Sequence, residues 1–174
     1  MSPEVTLACW REEENAVTSR LATEVGWALP QQVSGLSGLE VFEAIFAGRL
    51  PRPPIGETLD FMPIRIEHGL AVFQGRPGTK HYNPMGTVHG GWFATLLDSA
   101  VGCAVHSTLP AGKGYTTLEL KVNLVRAIRA DSGALRATAK VVHFGSRTAT
   151  AEGRLEDRDG NLFAHGSSTC LILG

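Results

Sequence analysis

The stretch with the clearest capacity for chemistry runs from Asn83 to Ala100 and reads NPMGTVHGGWFATLLDSA. Asp98 lies inside its apolar run, and burying an unpaired carboxylate costs several kcal/mol or raises the pKa. No positive charge stands at the helical neighbours three and four residues away, which are Ala94, Thr95, Val101 and Gly102. We interpret Asp98 as a candidate catalytic carboxylate. The alternative is an aspartate that is hydrogen-bonded to a hydroxyl or a backbone amide, or exposed.

Two adjacent glycines, Gly90 and Gly91, fit the first turn of the helix that carries this aspartate. Backbone amides at a helix N-terminus point outward and favour negative charge. Such amides can hold the oxyanion that forms when a carbonyl is attacked. An isolated His-Gly-Gly is more often a tight turn, so the carboxylate downstream is what favours the chemical interpretation.

The spacing between these groups predicts an assembly. Seven residues separate Gly91 from Asp98, which is roughly 10 Å of helix. One carbonyl therefore cannot lie within ~3 Å of both a glycine amide and the carboxylate of the same helix. Two such helices, antiparallel across a two-fold axis, would place one N-terminus beside the other aspartate. We expect a homodimer with composite sites.

The surrounding pattern predicts an α+β fold. Residues 92–109 are apolar on every side, which is typical of a buried helix. Two strands meeting at His68 and Gly69 precede it and four follow, among them the alternating stretch Thr117 to Leu124. Consecutive strands joined by short turns form an antiparallel sheet. We expect five to six such strands to wrap around one long central helix.

Residues 1–34 are harder to interpret and are expected to be an N-terminal extension, with a helix that ends near Pro30. Residues 35–174 are expected to form a single domain.

Composition excludes several functional classes. The chain has 174 residues, 43% of them hydrophobic and 19% charged, with a formal net charge of -1. Such a charge gives no reason to expect nucleic acid or an anionic membrane as a partner. No apolar run reaches the ~18 residues of a membrane helix, and the acidic N-terminus does not resemble a signal peptide. Three cysteines without CxxC spacing suggest reduced thiols, so a cytoplasmic location is expected.

Other catalytic signatures are missing from the sequence. None of the 6 histidines has HExxH spacing, and the cysteines form no zinc set. GxSxG, the P-loop lysine motif and GxGxxG are absent too. We therefore expect no metal site and no cofactor.

Three segments resemble the hotdog-fold acyl-CoA thioesterases, in the PaaI-like branch. They are NPMGTVHGGWFATLLDSAVGCAV, GYTTLELKVNLVRAI and GSRTATAEGRLEDRDGNLFAHGSSTCLIL. The resemblance covers roughly residues 36–174, and its most specific motif is Asn-x(5)-His-Gly-Gly-x(6)-Asp. It implies an antiparallel sheet curled around one helix, and dimers that are often paired into tetramers, with the active site between subunits.

The resemblance also implies roles for the motif residues. Asp98 would activate water or attack the thioester itself, and Gly90 would bind the thioester carbonyl through its amide, with Gly91 adjacent. Asn83 would make polar contacts near the carbonyl or the water. His89 would shape the entrance of the helix. A turn role for Asn83 and a structural hydrogen bond for His89 remain open.

A hydroxyl at the start of the next strand would position water, and we prefer Thr117 over Thr116 for this role. Coenzyme A would enter as part of the substrate, and its phosphates call for basic groups. Ser146 and Arg147, in a turn between strands, are candidates for that contact. Ordinary strand residues and simple surface charge are the alternatives.

Two functions remain open: an acyl-CoA thioesterase, and a non-catalytic acyl-CoA or acyl-ligand binding protein on the same fold. A weaker third interpretation is a hydratase, which would need Asp98 and His106 to cooperate although they lie eight residues apart. The acyl group cannot be inferred from the sequence.

Overall fold

The computed structural model describes residues 2–174. The helices are α1 Pro3–Thr18, α2 Pro30–Val33, α3 Gly38–Phe46, α4 Pro54–Thr58 and α5 Gly90–His106. The strands are β1 Phe61–Glu67, β2 Leu70–Gly75, β3 Gly114–Leu124, β4 Leu135–Phe144, β5 Thr148–Glu156 and β6 Leu162–Leu173. No helix in this part of the chain is long and apolar enough to cross a membrane.

The strands form one antiparallel sheet in the order β1-β2-β4-β5-β6-β3. The sheet has 6 strands, so the expectations of an α+β class and of five to six strands are confirmed. The predicted hairpin is β1 and β2, which pair from Phe61 opposite Gly75 to Glu67 opposite Leu70. The edges of the sheet are β1 and β3.

Helix α5 lies against the sheet and forms the centre of the core. Leu96, Leu97 and Val101 are fully buried. Small residues on the facing strands let the backbone come close, and a Cβ added at Gly153 of β5 would stand 3.2 Å from both Leu97 Cδ2 and Val101 Cγ1. This close approach lets the sheet curl around the helix, which confirms the expected hotdog arrangement.

Strand β3 matches its predicted alternation only in part, because Leu120 and Val122 pack against the core while the other two apolar residues do not. Leu118 is 58% exposed and Leu124 is 55% exposed. A bulge between Thr117 and Glu119 shifts the register against β6. Within residues 2–174 of one protomer, no strand pairs with the other edge of β3. An exposed apolar edge strand offers unpaired backbone groups to another chain.

Helix α1 covers the outer face of β2 and β4. Glu13 pairs with Arg136 of β4, and the Arg136 guanidinium lies 4.4 Å from the centroid of the Trp10 ring. The Gln74 side-chain amide of β2 donates to Glu14 Oε2 at 2.9 Å. The helix ends at Thr18, well before the predicted end near Pro30, because residues 19–29 form turns and a bridge instead.

Helix α3 docks on the far end of α5. Ser37 and Glu40 form a reciprocal capping box at its N-terminus. The Gly38 N–H donates to Leu109 O at 2.9 Å, and a Cβ at Gly38 would stand only 1.7 Å from His106 O. Only glycine allows this contact, so the capping box and the docking together fix the position of α3.

Candidate active site

The N-terminus of α5 leaves one amide without a partner. His89 is the N-cap, and its Nδ1 accepts the Gly91 N–H at 2.9 Å. The first amides of a helix have no intrahelical acceptor. Across residues 2–174, no acceptor lies within hydrogen-bond range of the Gly90 N–H. Of the two glycines predicted to bind an oxyanion, Gly90 is therefore the one whose N–H is free to donate to a ligand. The Gly91 N–H already donates to the N-cap side chain of His89.

The loop before α5 is ordered by Asn83. Its Oδ1 accepts the Met85 N–H at 2.9 Å, and its Nδ2 donates to Thr87 Oγ1 at 3.0 Å. The His89 N–H donates to His81 O at 2.8 Å, which ties the end of the loop to its start. In one protomer, Asn83 and His89 thus shape the approach to Gly90 and make no contact with Asp98.

Asp98 is half-buried on α5, and its side chain faces Thr117 of β3. The Thr117 hydroxyl donates to Asp98 Oδ1 at 3.4 Å. Burial raises the pKa of the Asp98 carboxyl, and the bond from Thr117 partly opposes that rise. No cation contributes to this pKa, so the carboxylate is held without a counter-charge, as the sequence suggests.

The neighbours of Asp98 are groups that stay neutral. Burial, with the nearby Asp98 charge as a smaller cause, raises the pKa of the Cys103 thiol to about 12. The pKa of Tyr115 is also raised, chiefly by burial. Near neutral pH the thiol and the phenol are thus uncharged, so neither adds a negative charge beside Asp98. Tyr115 lies two residues before Thr117 on the same face of β3, so strand alternation carried a signal for it that our sequence interpretation missed.

A cavity of about 270 Å³ opens at Asp98 and Thr117. Phe61 and Phe73 line it, together with residues of α3. The other large aromatic residues of this region, Trp92 and Phe93, belong to the core beneath. Nothing in the sequence indicated that the N-terminal helices would reach this cavity.

The candidate residues form two separate groups, one at the N-terminus of α5 and one at its middle. Asn83, His89 and Gly90 lie at its N-terminus, and Asp98 and Thr117 lie beside the cavity. Eight residues separate Gly90 from Asp98, which is roughly 12 Å along the helix axis. One protomer therefore does not bring the two groups together.

The remaining predicted residues lie elsewhere. Thr116 points to the face of β3 opposite Thr117, because neighbouring residues of a strand alternate. Ser146 and Arg147 are exposed in the turn between β4 and β5, and neither lines the cavity. In the described part of the chain, no group of three or more His, Cys, Asp or Glu is placed to hold a metal ion.

The contact between Thr117 and Asp98 predicts a change in the pH profile. If Asp98 is the catalytic carboxylate, it must be ionised, and kcat/KM is expected to rise as pH passes upward through its pKa, which lies above the ordinary 3.8. Thr117→Val removes the bond that lowers this pKa, and the acid limb should move to higher pH. Thr116→Val is the matched control and should leave the limb in place. An unshifted limb in Thr117→Val would show that this hydroxyl does not tune the carboxylate.

Comparisons with known proteins agree with one another on the family of this chain. The family model of the thioesterase superfamily matches residues 85–164. A Halobacterium salinarum protein named as an esterase is 43% identical over 76 residues, which are 42% of this chain and 48% of that protein. The chain thus spans about half the length of that relative.

Three further matches cover more of the chain. The 1,4-dihydroxy-2-naphthoyl-CoA hydrolase of Listeria monocytogenes is 28% identical over 116 residues, 67% of this chain and 91% of that enzyme. A crystal structure of a thioesterase-type, phenylacetic acid degradation-related protein from Ralstonia eutropha has a TM-score of 0.68 and 28% identity, covering 75% of this chain and 98% of that one. A Caenorhabditis elegans protein named as an esterase is 30% identical over 115 residues, 66% of this chain and 67% of that protein. The chain belongs to the thioesterase superfamily, and PaaI-like thioesterases are among its structural neighbours.

Proposed function

We propose that the protein is an acyl-CoA thioesterase, which hydrolyses an acyl- or aryl-CoA to the free acid and coenzyme A. The observation that carries the proposal is the half-buried Asp98, bonded to Thr117 and without a counter-cation, at the mouth of an apolar cavity. A protein that merely binds its ligand gains nothing from a desolvated carboxylate, whose burial costs free energy. The Listeria relative acts on a CoA thioester by its name, which supports the same chemistry here.

The chemistry needs a base or nucleophile and an oxyanion donor. Asp98 either takes a proton from water as the water attacks the thioester carbonyl, or attacks that carbonyl itself. The Gly90 N–H stabilises the oxyanion that develops on the carbonyl oxygen. The carbon–sulfur bond then breaks, and coenzyme A leaves as a thiolate that takes up a proton. If Asp98 is the nucleophile, water hydrolyses the resulting anhydride and restores the carboxylate.

The direction of β3 relative to α5 supports a composite site. A Cβ at Gly102 would stand 2.7 Å from the Tyr115 hydroxyl, and a Cβ at Gly90 would stand 3.0 Å from Leu124 Cδ1. The start of β3 thus lies beside the second half of α5, and its end lies beside the N-terminus of α5. If two β3 edges pair antiparallel across a two-fold axis, the end of one strand meets the start of the other. The Gly90 amide of one protomer would then approach the Thr117 and Asp98 side chains of its partner.

The exposed apolar residues of β3 provide the contact area for this homodimer. Leu118 and Leu124 of β3 and Val125, which directly follows the strand, are all exposed in one protomer. Pairing of the edges would also satisfy the free backbone groups of the strand. We propose the dimer as the active unit, and two dimers as the tetramer that the family resemblance implies.

The turn that carries Ser146 and Arg147 is our proposed contact for the phosphates of coenzyme A. Both side chains are exposed, and within residues 2–174 no carboxylate forms a salt bridge with Arg147. A guanidinium without an acidic partner is available for bidentate contact with a phosphate group.

The test is the release of free thiol from a panel of acyl-CoAs with short, medium, long and aryl groups. We expect turnover of at least one of them by the wild-type protein, without added metal. If a folded protein binds coenzyme A and releases no thiol from any acyl-CoA, the proposal fails and a non-catalytic acyl-CoA binding protein takes its place.

A further inference from the structure

The segment from α3 through α4, residues 38–58, forms one wall of the cavity at Asp98. We call it the α3–α4 segment. Its apolar lining residues are Phe42, Ile45, Phe46, Pro53 and Ile55. The match to the family model begins only at residue 85, so this wall is an addition to the matched region. This wall, like the one from β1 and β2, therefore comes from residues outside the matched region.

The opposite walls come from the sheet and from α5. Phe61, Met62 and Phe73 line the cavity from β1 and β2, and Cys103 and Tyr115 line it close to Asp98. Two charged residues, Arg52 and Glu57, also line the cavity. Arg52 Nε donates to Ala22 O at 2.8 Å, and Glu57 is exposed, so neither is a buried charge aimed into the space. The interior is thus apolar apart from the polar groups at Asp98.

The α3–α4 segment is anchored to the end of α5 by contacts of α3. The Gly38 N–H donates to Leu109 O, and the Phe42 ring meets the His106 ring edge-on with centroids 5.0 Å apart. His106 therefore packs under the wall, which also argues against the hydratase interpretation. A fixed wall sets a fixed limit on what fits beside the carboxylate.

The volume of the cavity indicates the size of its occupant. A closed apolar cavity of ~150 Å³ takes up benzene, which corresponds to roughly 25 Å³ per carbon atom. On that scale, 270 Å³ holds roughly ten carbon atoms. We propose that the α3–α4 segment forms the acyl pocket of this protein and selects an apolar acyl group of roughly this size. This inference rests on the proposed thioesterase function.

The test substitutes a residue of α3 that lines the cavity and compares it with a substitution on α3 that does not face the cavity. Ile45→Trp fills the pocket from α3, and Ile45→Ala enlarges it. Val41→Ala is the matched control, because Val41 lies one helical turn away on α3 and does not line the cavity. Melting temperatures establish that each variant is folded. The substrates are acetyl-, octanoyl-, decanoyl-, palmitoyl- and phenylacetyl-CoA.

We expect Ile45→Trp to lower kcat/KM at least 10-fold for octanoyl-, decanoyl- and phenylacetyl-CoA, with acetyl-CoA within about 3-fold. Ile45→Ala should shift the preferred chain length upward by roughly two carbon atoms. Val41→Ala should leave the profile unchanged. The ratio of decanoyl- to phenylacetyl-CoA turnover in the wild type tells a fatty acyl substrate from an aryl one. Equal effects of Ile45→Trp on every substrate, or no effect on any, would overturn the inference while the thioesterase function stands.

A second measurement separates binding of the acyl group in the pocket from hydrolysis of the thioester. S-alkyl thioethers of coenzyme A cannot be hydrolysed, and their dissociation constants report binding alone. If no variant hydrolyses any acyl-CoA, the proposed function fails. Weaker binding of the octyl and decyl thioethers by Ile45→Trp, with the methyl thioether unaffected, would still support the pocket. Dissociation constants that are the same for the wild type and Ile45→Trp would overturn it.

Discussion

Asp98→Asn is expected to lower kcat at least ~10²-fold while the fold and the dimer remain intact. Asparagine has nearly the same shape and can still accept the hydrogen bond that Thr117 donates to Asp98. It cannot take a proton from water and is a poor nucleophile toward a thioester. Loss of the negative charge also removes a desolvation cost, so the free energy of unfolding should not fall. Steady-state thiol release with the preferred substrate measures the effect.

An exposed carboxylate provides the control for this substitution. Glu67 lies at the end of β1, makes only a loose ion pair with Arg65 at 3.6 Å and does not line the cavity. Glu67→Gln removes the same charge and should leave kcat within about 2-fold. If Asp98→Asn retained activity within a few-fold of the wild type, the carboxylate would not be catalytic.

Gly90→Pro is expected to lower kcat by about 10²–10³-fold, because proline has no N–H to offer the oxyanion. The substitution suits the backbone. Gly90 is the first residue of α5, where proline is well tolerated in helices. His89 before it has φ -62 and ψ 139, a conformation that a residue preceding proline prefers. Circular dichroism and thermal melting would establish that α5 still forms.

Gly90→Ala is the matched control for the missing N–H. Both variants add a Cβ that stands 3.0 Å from Leu124 Cδ1, the flexible end of an exposed side chain. Alanine keeps the amide donor, so it should retain far more activity than proline. If the two variants lost the same activity, the cause would be steric and the assignment of Gly90 as the oxyanion donor would be wrong.

The sequence predicted the elements with strong periodic patterns. Most of helix α5 is apolar and buried, apart from the half-buried stripe of Thr95, Asp98 and Ser99, and the hairpin of β1 and β2 has a short glycine turn. In both elements the local pattern and the tertiary structure agree. The helical neighbours of Asp98 exclude a cation only on α5 itself, and the structure adds that no other element brings a cation that shifts its pKa. Thr117 was preferred over Thr116, and the structure brings Thr117 to Asp98.

Non-local contacts account for what the sequence left open. Helix α3 reaches the cavity because Gly38 docks on the end of α5, a contact between residues about seventy positions apart that no local pattern reveals. The alternation in β3 predicts a buried face, but Leu118 and Leu124 are exposed in one protomer. In the proposed dimer a second chain would bury them, and periodicity does not say which surface covers a strand.

Mixed dimers of Gly90→Pro and Asp98→Asn test the composite site most directly. Each variant alone is expected to be nearly inactive. A dimer that contains one protomer of each has one site with both an intact Gly90 amide and an intact Asp98, if the two groups come from different protomers. Random exchange of equal amounts should restore roughly a quarter of the wild-type activity, since half of the dimers are mixed and each holds one of two sites. Restoration to this level is the predicted result, and mixed dimers as inactive as their parents would contradict a site shared between subunits.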